Sequence, residues 1–335
     1  MDNFRLALVG LGRAGQFHLQ SIRQLAQLEL GYVIDADQGL AAQTATAHGC
    51  PGSNDFSLAL SDPTLHGVII ATPTGAHYSQ ILQALEAGKA VFTEKPLGET
   101  LKQIRECYAL AEKVERPLMV GFNRRFDPTF SSLAAQVVAG SIGRPMLVRI
   151  TSRDSPLPTL EYLKTSHGIF HDCIVHDLDM LRFITREDPV EVYAVGSNFV
   201  PEIQAINDLD NVLVTLKYKS GLLATIDVNR LATYGYDQRI EAFGDKGMLQ
   251  AENRSAASTV LSNAEGVGRP KIEHSFPSRY REAYVEELRA FARTLQVPSQ
   301  CPITEQDVCT SHQLCDAAEQ SCREQKPIKI ELPMQ

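Results

Sequence analysis

Several things are scarce in this sequence, and each scarcity removes a class of protein. No apolar run approaches the roughly 20 residues that a membrane-spanning helix needs; the longest are of the size of Val68-Ile69-Ile70-Ala71. The N-terminal Met1-Asp2-Asn3-Phe4-Arg5 carries an acid where a secretion signal is basic, and its apolar run meets a Gly-rich turn instead of a cleavage site. Positive charge is in deficit: 32 Lys plus Arg face 40 Asp plus Glu, a net charge of −8. Such a field does not favour phosphate backbones, so neither nucleic acid nor membrane is expected as a partner. Cysteines number only 7, and Cys301, Cys309, Cys315 and Cys322 lie too far apart for paired C-x-x-C arms. Reduced thiols, no metal and a cytoplasmic location are the expectation. Low-complexity tracts and repeats are also missing. What remains, 44 % hydrophobic and 21 % charged residues over 335 positions, is ordinary globular composition and enough chain for two domains.

The chain changes rhythm once. Up to residue 122, short apolar runs at Leu6–Val9, Tyr32–Ile34, Val68–Ala71, Ala90–Phe92 and Leu118–Val120 alternate with helical spacing, as in Leu19, Ile22, Ala26 and Leu101, Ile104, Tyr108, Ala111. Strands buried on both faces with helical crossovers imply an α/β, doubly wound parallel sheet. From residue 123 to 335 an α+β domain is expected. It has a helix over Phe170–Ile184 and strand-like runs at Val190–Gly196, Val212–Tyr218, Leu222–Val228 and Arg239–Phe243. Turns at Lys219-Ser220-Gly221 and Gly244–Gly247 imply a largely antiparallel sheet. Helices near Arg279–Leu295 and Glu305–Cys322 close the chain.

Gly10-Leu11-Gly12-Arg13-Ala14-Gly15 follows the first strand and opens a helix. The first Gly suits a tight turn, the second lets backbone approach a pyrophosphate, and the third lets helix pack on strand. The helix N-terminus adds free N–H groups and a positive dipole. Asp35, twenty residues beyond Gly15, ends the second strand where a carboxylate holds the ribose 2′-hydroxyl of NAD and repels the 2′-phosphate of NADP. Asp37 is read instead as the next helix's N-cap. Arg13 can pair with the pyrophosphate or, less readily, a 2′-phosphate, so NAD is expected over NADP. Thr72, Pro73 and His77 leave the third core strand at its C-terminal end, and Glu94 and Lys95 leave the next one similarly. In open α/β sheets that edge is where ligands sit. Lys95 taken alone reads equally as a surface ion-pair partner.

Taken together, G-x-G-x-x-G, T-P-x-x-x-H, Glu94-Lys95-Pro96 and Gly121-Phe122-Asn123-Arg124-Arg125-Phe126-Asp127 resemble the glucose–fructose oxidoreductase/inositol dehydrogenase/rhizopine catabolism (Gfo/Idh/MocA) family. Arg153-Asp154-Ser155-Pro156, the run from Gly168 to Asp177, and Tyr234-Gly235-Tyr236-Asp237 resemble its inositol 2-dehydrogenase branch. The resemblance implies NAD-dependent oxidation of a cyclic polyol, most simply myo-inositol, with Lys95, Asp172 and His176 as the catalytic group. It also implies a homodimer or homotetramer formed through the open sheet face. The spacing agrees: Asp172 and His176 are i and i+4 on one helix, and an imidazole with an ordinary pKa near ~6.5 suits a general base. Asn123 and Arg125 would touch nicotinamide or sugar, with a domain-interface ion pair as the alternative for Arg125. Asp154 and Tyr236 would read ring hydroxyls, with a packed core position as the alternative for Tyr236. The chain departs from the branch's pattern at His167, where many relatives have Gly, and at Ser152, where some present a nearby histidine; His171 and Cys173 flank Asp172 at variable positions.

Overall fold

The computed structural model describes residues 3–331. They form two compact units: the chain through Phe126 with Arg281–Thr310, and Asp127–Tyr280 with the chain from Ser311 onward. The return of Arg281–Thr310 to the first unit is something a single division after residue 122 does not express.

The first unit runs β1 (Phe4–Val9), α1 (Arg13–Ile22), β2 (Leu28–Ile34), α2 (Gln38–His48), β3 (Gly52–Ser53), α3 (Phe56–Ser61), β4 (Gly67–Ile70), α4 (Thr74–Glu86), β5 (Ala90–Glu94), α5 (Leu101–Lys113) and β6 (Leu118–Gly121). All six strands are parallel, in the order β3-β2-β1-β4-β5-β6. β4 and β6 are buried at every position, as a sheet covered by helices on both faces requires. Val68, Ile69 and Ile70 are wholly buried, each worth roughly 1.5–3 kcal/mol of transfer free energy. The order reverses between β1 and β4, so their C-terminal ends diverge into the crevice where such sheets bind nucleotides. Asp37 caps α2, accepting from the Gly39 and Leu40 amides, as expected. After β6, Asn123–Phe126 form a 3₁₀ turn.

The second unit contains α6 (Pro128–Val138), β7 (Pro145–Arg153), α7 (Leu160–Leu163), a π turn over Phe170–Ile174, α8 (Val175–Thr185), β8 (Pro189–Ser197), α9 (Pro201–Ala205), β9 (Asn211–Tyr218), β10 (Leu223–Asn229), β11 (Asp237–Gly244), β12 (Gly247–Ala251), a small hairpin β13–β14 (Leu261–Asn263 and Gly266–Gly268) and α10 (Phe276–Arg279). Two helices follow, α11 (Arg281–Gln296) in the first unit and α12 (Glu305–Glu324), before the edge strand β15 (Ile328–Lys329). The large sheet is ordered β12-β11-β7-β10-β9-β8-β15. It is antiparallel except where β7 lies parallel to β10. β7 is central yet was not among the expected strands, because Arg149, Thr151, Ser152 and Arg153 break up its apolar pattern. One face buries Val212, Val214 and Leu216 of β9 with Ala224, Ile226 and Val228 of β10. The other face exposes apolar side chains, among them Val195 directly opposite Leu213, Leu223 of β10 and Phe243 of β11. The expected helix over Phe170–Ile184 is present, but its first turn is π and not α. Among the described residues, no helix is long and apolar enough to cross a membrane.

Candidate active site

In the first unit, the turn after β1 is shaped by three glycines for three different reasons. Gly10 has φ +90°, donates its N–H to the Ile34 carbonyl at 2.8 Å, and lies where a Cβ would sit 2.6 Å from the Ala71 carbonyl oxygen. A Cβ on Gly15 would sit 2.1 Å from the Gly10 oxygen, so this position carries the contact between helix and strand. Gly12 is the opposite case: a Cβ there meets no atom within 4 Å. It is the N-cap of α1, whose first amides receive no side-chain cap and which has no acid in its first turn. Open space in front of uncapped helical N–H groups fits a pyrophosphate. Arg13 and Ala14 form the start of the same helix, with Arg13 exposed.

Asp35 lies beside this turn. One carboxylate oxygen accepts the Leu11 amide at 2.7 Å and the other the Asp37 amide at 2.9 Å. The carboxylate therefore fixes the glycine turn to the end of β2, and its remaining lone pairs suit a ribose hydroxyl. NAD fits this donor and acceptor set.

The turns after β4 and β5 are joined by His77. Its ring is buried, with Nδ1 2.8 Å from the Pro96 carbonyl and Nε2 2.8 Å from the Thr72 carbonyl. Thr72 in turn donates its hydroxyl to Gln80 at 2.6 Å, and Pro73 precedes α4 as its N-cap residue. His77 thus acts as a brace between the two turns. Glu94 is anchored from below, 2.7 Å from Nε2 of the fully buried His18. Glu287 of α11 completes that cluster. Burial and the neighbouring Glu94 charge push the Glu287 carboxyl well above its ordinary value. Lys95 extends from this anchored strand end and is half-buried. Asn123 and Arg125 are both buried in the 3₁₀ turn. Arg125 forms an ion pair with Asp307 at 3.0 Å inside the first unit. Burial would raise the Asp307 carboxyl, but the Arg125 guanidinium and the Thr304 hydrogen bonds bring it down to about 2.

In the second unit, Asp172 lies in the π turn and His176 one helical turn on, in α8. Asp172 is buried and its two oxygens have different donors: the Tyr162 hydroxyl at 2.6 Å and the Arg230 guanidinium at 3.0 Å. The oxygen that faces Arg230 also accepts from the Cys173 thiol at 3.8 Å. Arg230, from the end of β10, is fully buried and also donates to Asp208 at 3.0 Å and to the Leu209 carbonyl. Burial works against its charge, yet Cys173, Asp172 and Asp208 together hold the guanidinium above its ordinary pKa. Burial of the Tyr162 hydroxyl, with Asp172 beside it, raises that phenol in turn. None of these holders of Asp172 was singled out from the sequence. Arg230 lies 58 residues away along the chain, and no local pattern marks it.

Asp154 directly follows β7. Its backbone bridges Asn229 and Ala232, and its carboxylate accepts the Ser155 amide at 2.8 Å. Ser152 donates to Gln238 at 3.2 Å. Tyr236 is 7 % exposed, its ring packed against Phe276 and Tyr280, which are the surroundings of the packed alternative. The neighbouring Tyr234 is the more exposed tyrosine, donating to Asp237 and accepting from Arg153.

Known proteins place this geometry. Residues 4–122 match the oxidoreductase family with an NAD-binding Rossmann fold, and residues 130–250 match the Gfo/Idh/MocA C-terminal domain. Over 328 residues the chain is 38 % identical to an inositol 2-dehydrogenase of Rhizobium meliloti, covering 97 % of this chain and 99 % of that one. It is 35 % identical over 329 residues to a myo-inositol 2-dehydrogenase of Thermotoga maritima, covering 98 % of each. The crystal structure of scyllo-inositol dehydrogenase from Lactobacillus casei with bound NAD(H) and scyllo-inositol matches at a TM-score of 0.91 and 26 % identity, over 98 % of this chain and 99 % of that one. The glycine turn, the strand order that frames it and these full-length likenesses agree: the chain belongs to the Gfo/Idh/MocA family of NAD-dependent oxidoreductases.

Proposed function

We propose that the protein oxidises a secondary alcohol of a cyclic polyol with NAD, converting myo-inositol to 2-keto-myo-inositol (scyllo-inosose). The observation that carries this reading is the likeness, over nearly the whole length of both chains, to two inositol 2-dehydrogenases. When bound, the cofactor supplies the acceptor for the carbinol hydride. His176 takes the hydroxyl proton as general base, a role worth typically ~10²–10⁴ in rate. Asp172, itself fixed by Arg230 and Tyr162, orients the imidazole and stabilises its charged form as the proton arrives. Lys95, assigned to the same group by the family resemblance, holds the reacting oxygen and favours developing alkoxide. Loss of one hydride and one proton leaves the ketone.

In the cofactor half, Gly10, Gly12, Arg13, Ala14 and Gly15 cradle the pyrophosphate and Asp35 takes the ribose 2′-hydroxyl, favouring NAD over NADP. Thr72, Pro73, His77 and Glu94 shape the edge beyond it. Arg125 has an internal acid, so its proposed part is to fix the turn that carries Asn123. Asp154 is proposed to read ring hydroxyls; for Tyr236 the packed surroundings favour support of that wall over direct contact. The exposed apolar sheet face supports pairing of copies into a dimer or tetramer, and the expected location is the cytoplasm.

Initial-rate NADH formation across inositol isomers, glucose, galactose and xylose tests the reading. Preference for myo-inositol with NAD is expected. Preference for scyllo-inositol or an aldose would keep the chemistry and overturn the substrate; no turnover of any despite NAD binding would overturn the reaction.

A further inference from the structure

His171 is a residue that the proposed reaction leaves unused, although it stands next to Asp172. Its Nε2 faces α12, 3.1 Å from Oδ1 of Asp316 and 3.9 Å from Oε2 of Glu319. His312, one helical turn before Asp316, places its own Nε2 3.7 Å from the other Asp316 oxygen. The two imidazoles lie side by side with ring centroids 4.7 Å apart. One donor atom from each of His171, His312 and Asp316 falls within 4.8 Å of the others. All four side chains belong to the second unit.

We propose that His171, His312 and Asp316 form a binding site for a divalent transition-metal ion of the zinc class, with Glu319 as the fourth ligand. The chemistry is borderline-soft nitrogen with carboxylate oxygen, the donor set that zinc takes in proteins. The spacing fits as well. Two ligands each roughly 2.0–2.1 Å from a tetrahedral ion are about 3.3 Å apart; the His171 nitrogen is 3.1 Å from one Asp316 oxygen and 3.9 Å from Glu319, and the His312 nitrogen is 3.7 Å from the other Asp316 oxygen, each close to that value. Access is open, since the side chains of Asp316 and Glu319 are both more than half exposed while the two imidazoles sit deeper. His312, Asp316 and Glu319 follow one another at i, i+4 and i+7 along α12, so a regular helix presents three ligands on one face. The fourth comes from the π turn that carries Asp172. An ion held there cross-links that turn to α12 and stiffens the segment leading into His176. No ligand motif announces the site, because its two histidines come from distant parts of the sequence.

The test uses the full-length, chelator-treated protein. Zinc is titrated by calorimetry, melting temperature is followed with and without zinc, and cobalt is added as a spectroscopic substitute. The expected result is one ion per chain, a raised melting temperature, and the visible d–d bands of low-coordinate cobalt. Asp316→Asn, at an exposed position, and His312→Ala should each weaken zinc binding by about tenfold or more. Their metal-free melting temperatures report whether each variant has kept its fold. Zinc binding that is equally strong in Asp316→Asn and His312→Ala, or no binding to the parent protein, overturns the site. Because the readouts are binding and stability, they stand apart from the polyol assay, and either result can fail alone.

Discussion

In the first unit the cofactor turn is held by groups close to it in the chain or at the end of the adjoining strand: Gly10 donates to the Ile34 carbonyl, the Leu11 and Asp37 amides donate to the Asp35 carboxylate, and the Gln16 side chain donates to the Leu11 carbonyl. In the second unit Asp172 is held by side chains from distant segments, with Arg230 reaching in from β10 to join it to Asp208. A dinucleotide turn can be made from glycines and a helix end because backbone amides do the binding. A proton-transfer pair has no such resource. It needs an oriented carboxylate in a partly dry setting, and a buried charge is tolerable only if other charges and donors surround it. Binding of the common cofactor is thus coded locally, whereas the proposed reaction depends on tertiary contacts.

The largest effects should come from the second unit. His176→Ala is expected to lower turnover by ~10²–10⁴ while NAD affinity, measured by quenching or calorimetry, stays within error. A large loss of NAD affinity in that variant would mean that the two functions are not separable as described. Next comes Arg230→Met, which keeps volume but leaves Asp172 and Asp208 without their shared cation. Removing one partner from a buried charge cluster costs roughly 3–5 kcal/mol, readable as a lowered denaturant midpoint, and turnover should fall with it. Unchanged stability and turnover would break the contrast, since Asp172 would then need no distant holder.

The same contrast explains what could be read from the sequence. The glycine turn, Asp35 and the alternation of strand and helix are local signals, and the parallel sheet follows from them. Strand β7 was hidden because its polar residues serve cross-strand partners, as when Thr151 and Arg153 both bond to Asp227 of β10. The π turn was hidden because Asp172 and His176 keep helical spacing in either geometry. Arg230, Tyr162 and Asp208 carry no motif at all; only the fold brings them to Asp172. Tyr236 was legible as an aromatic near the proposed substrate residues but not as a packed ring, since that depends on Phe276 and Tyr280 from much later in the chain.

The Arg125–Asp307 pair is a distant contact inside the first unit, and it sharpens the comparison. Asp307 has a folded pKa of about 2 against an ordinary 3.8. A depressed carboxylate adds stability that is fully present above the unfolded value and is lost as pH falls through the folded one. Its contribution is about 2 kcal/mol at neutral pH, disappearing between roughly pH 4 and pH 2. Asp307→Asn should show that loss already at pH 7 and a flatter acid limb in pH-dependent unfolding. Equal stability of the two proteins at pH 7 would show that the pair contributes little and that the first unit rests on its backbone geometry alone.

The smallest effect separates two neighbouring glycines. At Gly12 the backbone has φ −66° and open space where a Cβ would go, so Gly12→Ala introduces neither strain nor overlap and should leave unfolding within ~0.5 kcal/mol of the parent. The methyl group would project where a pyrophosphate must approach the amides, weakening NAD by about tenfold, or ~1.4 kcal/mol. Gly15→Ala provides the control, because its Cβ would sit 2.1 Å from the Gly10 carbonyl oxygen. There the fold itself must give, and the melting temperature should drop before any ligand is added. If Gly12→Ala also melted early, the turn would be a structural device first and a phosphate cradle second. If it bound NAD as tightly as the parent, the pyrophosphate would have to lie elsewhere along the edge of the sheet.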